Sequence, residues 1–134
     1  MGSGTITNCF SIGPVEAVNN DFVHLGGFVG HVEGYNASIT QSYAVADLYT
    51  DATGIEVYVG SFSGKTPGGT YANIYSSCYY DRLTSTLDRI GNIDTGRGDG
   101  ITGVNILSLT ELTGFNPSIW DFSGIYPMYI WLHE

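Results

Sequence analysis

A glycine- and aspartate-rich stretch in the second half of the chain could support two kinds of binding chemistry. Arg97-Gly98-Asp99 offers a guanidinium and a carboxylate, the groups through which an adhesive loop binds an integrin-type receptor and its metal ion. Asp94 and Asp99 in the same stretch could supply oxygen ligands to calcium, the only cofactor we consider. Short motifs of this kind also arise by chance, and Arg97 places a positive charge among the carboxylates. A turn-rich surface loop therefore explains the same residues.

Aromatic side chains offer a third kind of chemistry, the stacking of sugar rings. Several of the ten tyrosines lie in strand-like segments where we expect them to face outward: Tyr49, Tyr58, Tyr71, Tyr75 and Tyr79. Such a row could form a platform for a glycan, with Tyr49, Tyr58 and Tyr79 as the main candidates. Aromatic ladders also stabilise a sheet without any ligand. Both interpretations stay open.

The sequence lacks the motifs of common enzymes and transition-metal sites. It has no Gly-x-Ser-x-Gly elbow, His-Glu-x-x-His helix or phosphate-binding loop, and its three histidines lie on different segments. Five carboxylates could gather on one edge, as in β-helix enzymes that act on polysaccharides: Glu16, Asp21, Asp47, Asp51 and Glu56. Solvated strand and turn positions explain these residues equally well. We therefore expect a non-enzymatic role, with a polysaccharide-active enzyme as the weaker alternative.

The charge of the chain restricts its partners. Four basic residues stand against thirteen acidic ones, which gives a formal net charge of −9. The electrostatic field of such a negatively charged protein repels phosphate groups, so we expect neither nucleic acid nor an anionic membrane surface as a partner. No stretch approaches the ~20 apolar residues that span a bilayer, which argues against membrane insertion.

The elements that would position these residues repeat along the chain. Gly-Gly-Phe-Val-Gly at residues 26–30 returns as Gly-Ser-Phe-Ser-Gly at residues 60–64. Residues 4–11 also align with residues 37–44 and, less closely, with residues 72–80. In this alignment Cys9, Ser42 and Cys78 are equivalent, and an aromatic residue follows each of them. Internal repetition at 33 to 36 residues indicates a repeat architecture.

The pattern within each repeat is that of β-strands. Ile55, Val57 and Val59 alternate with Glu56 and Tyr58, which predicts a strand with one buried face. A unit of this length holds about three strands of ~5–6 residues with turns between them. We therefore predict an all-β fold, a parallel β-solenoid (β-helix) of about three coils. An antiparallel sandwich also has short strands, but it does not require matched pentapeptides at a fixed distance. The glycines are expected at corners with positive φ or at close backbone contacts.

The predicted organisation has two parts. Residues 1–83 form the solenoid, with coils at about 4–36, 37–71 and 72–83, and residues 84–134 form an irregular loop and a C-terminal cap. The sequence Ser108-Leu109-Thr110-Glu111 is a capping box, which predicts one short helix that ends at Gly114. Four aromatic residues are expected to be buried against the last coil: Trp120, Phe122, Tyr126 and Trp131.

The order of these motifs resembles that of a known repeat family. Ile-Thr-Asn-Cys-Phe at residues 6–10 and the glycine frames at residues 26–30 and 60–64 resemble GLUG-motif repeats. Residues 78–81, 109–112, 120–122 and 125–131, with a Gly- and Asp-rich loop after the first of them, resemble the segment that closes such arrays. The resemblance implies a piece of a bacterial or archaeal surface protein, located extracellularly or at the cell surface, and it brings no catalytic residues.

Together these observations predict a structural or adhesive module such as a stalk, an adhesin or a self-assembling fibre component. A carbohydrate-binding module is the alternative. The expected partners are a second copy stacked on the open solenoid edge, the rest of a larger surface protein, or a glycan. Because Ser42 separates Cys9 from Cys78 in the predicted stack, their Cα atoms should lie ~9.6 Å apart, too far for a disulfide. We therefore expect two free thiols.

Overall fold

The protein is all-β. The computed structural model describes residues 3–18, 22–33, 36–66, 74–92, 100–106, 112–124 and 126–129. Strands make up 54% of this part of the chain. They are β1 Ser3–Thr7, β2 Phe10–Ile12, β3 Val15–Ala17, β4 Phe22–Gly26, β5 Val29–His31, β6 Asn36–Val45, β7 Leu48–Thr50, β8 Glu56–Gly60, β9 Ser63–Lys65, β10 Tyr75–Asp81, β11 Ile101–Val104, β12 Trp120–Asp121 and β13 Met128–Tyr129.

No α-helix occurs in the described residues. The capping box that predicted a helix lies at residues 107–111, outside the described part of the chain. Gly114, the expected helix end, lies in a turn and has a φ of +92°. The prediction of a helix therefore finds no support in the fold.

The first repeat (residues 3–33) and the second repeat (residues 36–66) pair strand by strand in parallel. Strand β6 pairs with both β1 and β2, and β3, β4 and β5 pair with β7, β8 and β9. Thr5 lies beside Ser38, 33 residues later, and Val23 lies beside Val57, 34 residues later. The offset is the one that the sequence alignment predicts, so the parallel pairing of the repeats is confirmed.

The pairing continues beyond the second repeat. Strand β10 lies on the other side of β6, with Cys78 beside Ser42, and β11 follows β10 with Ile101 beside Cys78. Ile90 forms a parallel bridge to Ser63. The expectation of an irregular loop from residue 84 is therefore wrong for Ile90 and for β11, which add to the stack.

Each repeat bends at one equivalent position in the left-handed region. Asn8, Gln41 and Ser77 have φ values of 56°, 46° and 53°, and Gly100 continues the row with 88°. Left-handed φ is costly for residues with a Cβ, so three aligned cases indicate a bend that the surrounding stack imposes. The glycines at residues 26–30 and 60–64 do not have positive φ, so the first of the two expected reasons for glycine does not apply to them.

Close backbone contact explains these frame glycines instead. A Cβ on Gly64 would lie 2.6 Å from the Gly30 carbonyl oxygen, and one on Gly91 would lie 2.7 Å from the Gly64 carbonyl oxygen. Between the glycines, the rings of Phe28 and Phe62 stack at 4.8 Å with an angle of 7°. Gly91 therefore takes the frame position in a third repeat, where the sequence pattern had shown none.

Two apolar clusters hold the stack together. The inner cluster is Val32, Ile39, Ala44, Phe62, Ile74, Tyr75, Cys78, Ile90 and Ile101. The second cluster is Tyr43, Val45, Ile106, Leu112, Phe115 and Trp120. The alternation of side chains along the end of β6 separates them, since Ala44 belongs to the inner cluster whereas its neighbours Tyr43 and Val45 belong to the second.

The C-terminal segment (residues 112–129) packs along the side of the stack. Trp120 donates its indole N–H to the Asn8 side-chain oxygen at 3.2 Å, and Tyr129 donates its hydroxyl to the Asn8 carbonyl. Trp120 is buried as predicted, Phe122 and Tyr126 are half-buried, and Trp131 lies outside the described residues. The expected position is corrected, because the segment reaches back to the first repeat to cover outward aromatic rings instead of covering only the last repeat.

Two further expectations from the strand pattern are wrong. Ile55, assigned to the buried face, is 97% exposed because it precedes the strand that begins at Glu56. Tyr75, expected to face outward, is buried, and its hydroxyl lies 2.6 Å from the Thr66 hydroxyl. Tyr75 pairs with Ile39, so it takes the inward direction of that residue.

Candidate functional site

One face of the paired strands β4 and β8 carries a mixed polar and aromatic surface. Val23 and Leu25 point inward and are buried, so the residues between them point outward. The register places Phe22 beside Glu56 and His24 beside Tyr58. Strands β5 and β9, which follow after a tight reversal, place His31 beside Lys65.

These residues contact one another, and we call them the His24 cluster: Phe22, His24, His31, Glu56, Tyr58 and Lys65. His24 Nε2 lies 3.1 Å from Glu56 Oε2, and Lys65 Nζ lies 3.6 Å from the same oxygen. The His24 ring centroid is 4.8 Å from both the Phe22 and the His31 centroids and 5.7 Å from that of Tyr58. Lys65 Nζ stands 5.5 Å from the Tyr58 centroid.

The electrostatics of the cluster keep Glu56 ionised. The hydrogen bond from His24 is the main cause that lowers the pKa of this carboxyl, and Lys65 lowers it further. Because an ionised carboxylate only accepts hydrogen bonds, His24 Nε2 carries the proton that it donates. The Glu56 and Lys65 side chains are 36% and 31% exposed, so water and ligands reach both.

The sequence indicated only part of this cluster. The sequence makes Tyr58 and Glu56 candidates, whereas it shows the histidines only as residues of different segments. In the fold His31 lies in β5 and touches His24. The signal that could have shown this contact is the glycine frame, since a frame without Cβ atoms lets β5 fold back closely beside β4.

The tyrosines proposed for sugar stacking do not form one platform. Tyr49 is exposed on β7, where it pairs with Glu16 of β3. Tyr58 lies on β8, in another sheet. Tyr79 of β10 is half-buried, with its hydroxyl 2.8 Å from the Thr113 carbonyl and its ring against Phe115. Tyr71 lies outside the described residues.

The other predicted site residues also do not come together at one site in the described part of the chain. Arg97, Gly98, Asp99 and Asp94 lie outside the described residues, as does Asp21. Asp47 and Asp51 flank β7, near Glu16 of β3, whereas Glu56 contacts His24 and Lys65. Within the described part of the chain, no three His, Cys, Asp or Glu residues come together in a way that could hold a metal ion.

A second surface of interest is the outer edge of the first repeat. Ile6 is 41% exposed and Ile12 is 42% exposed, whereas their partners in the second repeat, Ile39 and Val45, are 3% and 4% exposed. A groove of about 370 Å³ opens beside Ile6, lined mainly by β1, β5 and the start of β6. We call this surface the first-repeat edge.

The other end of the stack differs from this edge. Cys78 is fully buried, and Ile101 and Ile106, which lie beyond it, are both 1% exposed. The apolar side chains of the last paired strands are therefore covered within the chain, whereas those of the first-repeat edge are not.

The two cysteines occupy the predicted positions. The Cys9 amide donates to the Ser42 hydroxyl at 3.2 Å, and Cys78 pairs with Ser42 from the other side. Both thiols are free. Burial raises the pKa of the Cys78 thiol to about 11, so this side chain is a small apolar core residue and a poor nucleophile. The predicted ladder of Cys9, Ser42 and Cys78 is confirmed.

Comparison with known proteins identifies the repeat. The family profile described as the GLUG motif matches residues 23–49, which run from β4 into β7. The chain therefore contains a GLUG motif at residues 23–49. No curated protein and no solved structure matches it. In the part of the chain that the structure describes, no helix has the length and hydropathy needed to cross a membrane.

Proposed function

We propose that the chain is a non-enzymatic, extracellular structural module in which the repeats form the coils of a parallel β-solenoid. In this proposal the first-repeat edge binds a further coil of the same repeat, and the module serves as the end of a stalk or adhesive array. The GLUG motif is a repeat found in extracellular proteins, which supports this location.

The observation that carries the proposal is the unequal burial of equivalent residues. Ile6 and Ile39 have the same place in successive repeats, yet the first is 41% exposed and the second 3%. The difference is the neighbour that Ile39 has in β10 and that Ile6 lacks in the described chain. A further coil would bury Ile6 and Ile12 and pair the edge of β1, as β10 does for β6.

The difference between the two ends favours a further coil as the occupant. Head-to-tail stacking of identical copies needs two complementary open ends. The apolar residues Cys78, Ile101 and Ile106 at the other end are covered. This difference supports a module that closes an array at one end and accepts a coil at the first-repeat edge.

The proposal is tested by adding a coil. We insert a second copy of residues 3–35 before Ser3 and measure the free energy of unfolding in urea. The added coil should raise the stability, and the original Ile6 amide should become protected from hydrogen exchange.

The matched control is Ile6→Ser at the original position in both proteins. In the unextended protein it should cost little, whereas in the extended protein it should cost about 2–5 kcal/mol, as for a buried aliphatic side chain. Equal costs in both, or an inserted coil that exchanges freely, would contradict the proposal. A stable dimer of the unextended protein would also contradict it, since a second copy would then occupy the edge.

A carbohydrate-binding role is the second candidate function. The observation that favours it is the His24 cluster, in which exposed aromatic and charged groups converge.

A further inference from the structure

We infer that the His24 cluster is a binding site for neutral, hydroxyl-rich pyranosides, with Phe22 as the stacking ring and Glu56 with Lys65 as the polar clamp. The site assigns the second candidate function to particular residues. A further coil would pair with β4 along the sheet and would leave the outward face of the sheet open, so the two proposals can fail separately.

The exposed Phe22 ring is the apolar part of the site. Phe22 is 63% exposed at the border of the cluster, whereas the neighbouring His24 and Glu56 are half-buried. Its partner in the second repeat is Glu56 and not another aromatic residue, so no aromatic ladder within the described strands accounts for the exposed ring. A flat exposed ring beside polar groups is suited to the apolar face of a sugar.

The polar part of the site is a matched acceptor and donor. Glu56 accepts hydrogen bonds and Lys65 donates them, and the two groups lie 3.6 Å apart; Glu56 is the residue that pairs with Phe22 across the sheet. Neighbouring hydroxyls of a sugar each donate and accept, so one can bind the carboxylate while the next binds the ammonium. Such charge-assisted hydrogen bonds are about twice as strong as neutral ones.

His24 is a positioning residue in this site. Its hydrogen bond to Glu56 Oε2 and its contacts with the Phe22 and Tyr58 rings fix the carboxylate relative to the stacking surface. Its side chain is only 10% exposed, so it positions Glu56 from beneath the surface, and Phe22, Glu56 and Lys65 are the residues that would contact the sugar.

Charge selects neutral over acidic sugars. The ammonium of Lys65, the only lysine of the chain, is balanced by Glu56, and the whole chain carries a formal net charge of −9. The negative charge of the protein would repel a polyanionic glycan, and the site has no net positive charge to offset this repulsion. A neutral pyranoside meets no such repulsion.

The test uses isothermal titration calorimetry with four hexasaccharide probes: cellohexaose, mannohexaose, xylohexaose and hexagalacturonate. We expect at least one neutral probe to bind, and hexagalacturonate to bind more weakly. Phe22→Ala, Glu56→Gln and Lys65→Met should each weaken the binding about tenfold or more. Tyr49→Ala, which removes an exposed tyrosine from another sheet, should leave the affinity unchanged.

Two further readouts separate a direct role from a structural one. The neutral probe should shift the His24 imidazole signals in NMR spectra, and Phe22→Trp should restore or increase the affinity. The inference is overturned if none of the neutral probes binds at millimolar concentration, if hexagalacturonate binds most tightly, or if folded cluster variants retain the wild-type affinity.

Discussion

The carbonyl oxygen of Gly30 and the α-carbon of Gly64 approach so closely that a Cβ on Gly64 would lie 2.6 Å from that oxygen. The contact joins equivalent positions of the first and second repeats, since β5 pairs with β9. The same position is occupied again by Gly91, against Gly64. The recurring pentapeptide therefore marks where backbones of successive repeats touch.

This contact predicts that Gly64→Ala destabilises the protein by about 1–3 kcal/mol, as expected for an added methyl group in a packed interior. The obstructing atoms belong to the backbone, so they cannot move aside as a flexible side chain would. Urea denaturation measures the change. The control is Gly4→Ala, where the added Cβ meets nothing within 4 Å and the cost should stay below about 0.5 kcal/mol. Equal costs at the two positions would contradict the close contact.

The hydroxyl of Tyr43 provides a second prediction. It donates to the carbonyl oxygen of Pro127, and this hydrogen bond is buried under the C-terminal segment. Tyr43→Phe leaves that carbonyl without its donor, so we expect a loss of about 1–3 kcal/mol in urea denaturation.

Tyr79→Phe is the matched control for Tyr43→Phe. The Tyr79 hydroxyl donates to the Thr113 carbonyl in an exposed hydrogen bond, which water can replace. The expected cost is below about 0.5 kcal/mol. If both variants lose the same stability, the C-terminal segment does not seal the side of the stack as described.

The row of Cys9, Ser42 and Cys78 shows what sequence alone can predict. The alignment of the repeats predicts this register, because an aromatic residue follows each of the three residues and the sequences around them are similar. The next member, Ile101, could not be predicted. It follows Cys78 after only 23 residues, and its residue type differs from those of Cys9, Ser42 and Cys78. Pairing of the backbone, which is independent of residue type, places it in the stack.

The His24 cluster marks a second limit of sequence reasoning. The alternation around Val23 and Leu25 predicts that His24 faces outward. The contact between His24 and His31 depends on how tightly β5 turns back on β4, and a periodic pattern contains no information on that angle. Lys65 joins the cluster only because β9 repeats the path of β5.

The cysteines predict a clear labelling result. Alkylation with iodoacetamide at pH 8 without reductant should modify native Cys9, which is partly exposed, much faster than Cys78. Cys78 is fully buried, and its pKa of about 11 leaves almost no thiolate at this pH. In urea, both should react and the intact mass should show two adducts. A mass two units low with no adducts in urea would reveal a disulfide and contradict the register.

The lowered pKa of Glu56 predicts a pH-dependent contribution to stability. A carboxyl group whose pKa is lower in the folded state stabilises the fold above its unfolded pKa, and the contribution disappears as the pH falls through the folded pKa. The difference in Tm between wild type and Glu56→Gln should therefore be present at pH 6 and shrink as the pH drops below 4.5, the ordinary value of the group.

The control for the Glu56 experiment removes its main partner. In a His24→Gln background, the same Glu56→Gln substitution should show a weaker pH dependence, since the hydrogen bond from His24 is the largest cause of the shift. An unchanged pH dependence in that background would mean that His24 does not hold the carboxylate.

Disulfide trapping tests the parallel, in-register stack most directly. In a Cys9→Ser, Cys78→Ser background, Thr5→Cys with Ser38→Cys joins residues that pair across β1 and β6. Paired strands lie ~4.8 Å apart, within the range of a disulfide, whereas Thr5→Cys with Thr40→Cys is two residues out of register, at ~8 Å. Mild oxidation should close the first pair rapidly, with the fold retained, and should leave the second pair open. Closure of the out-of-register pair, or of neither, would contradict the stacking of the repeats on which the proposed function depends.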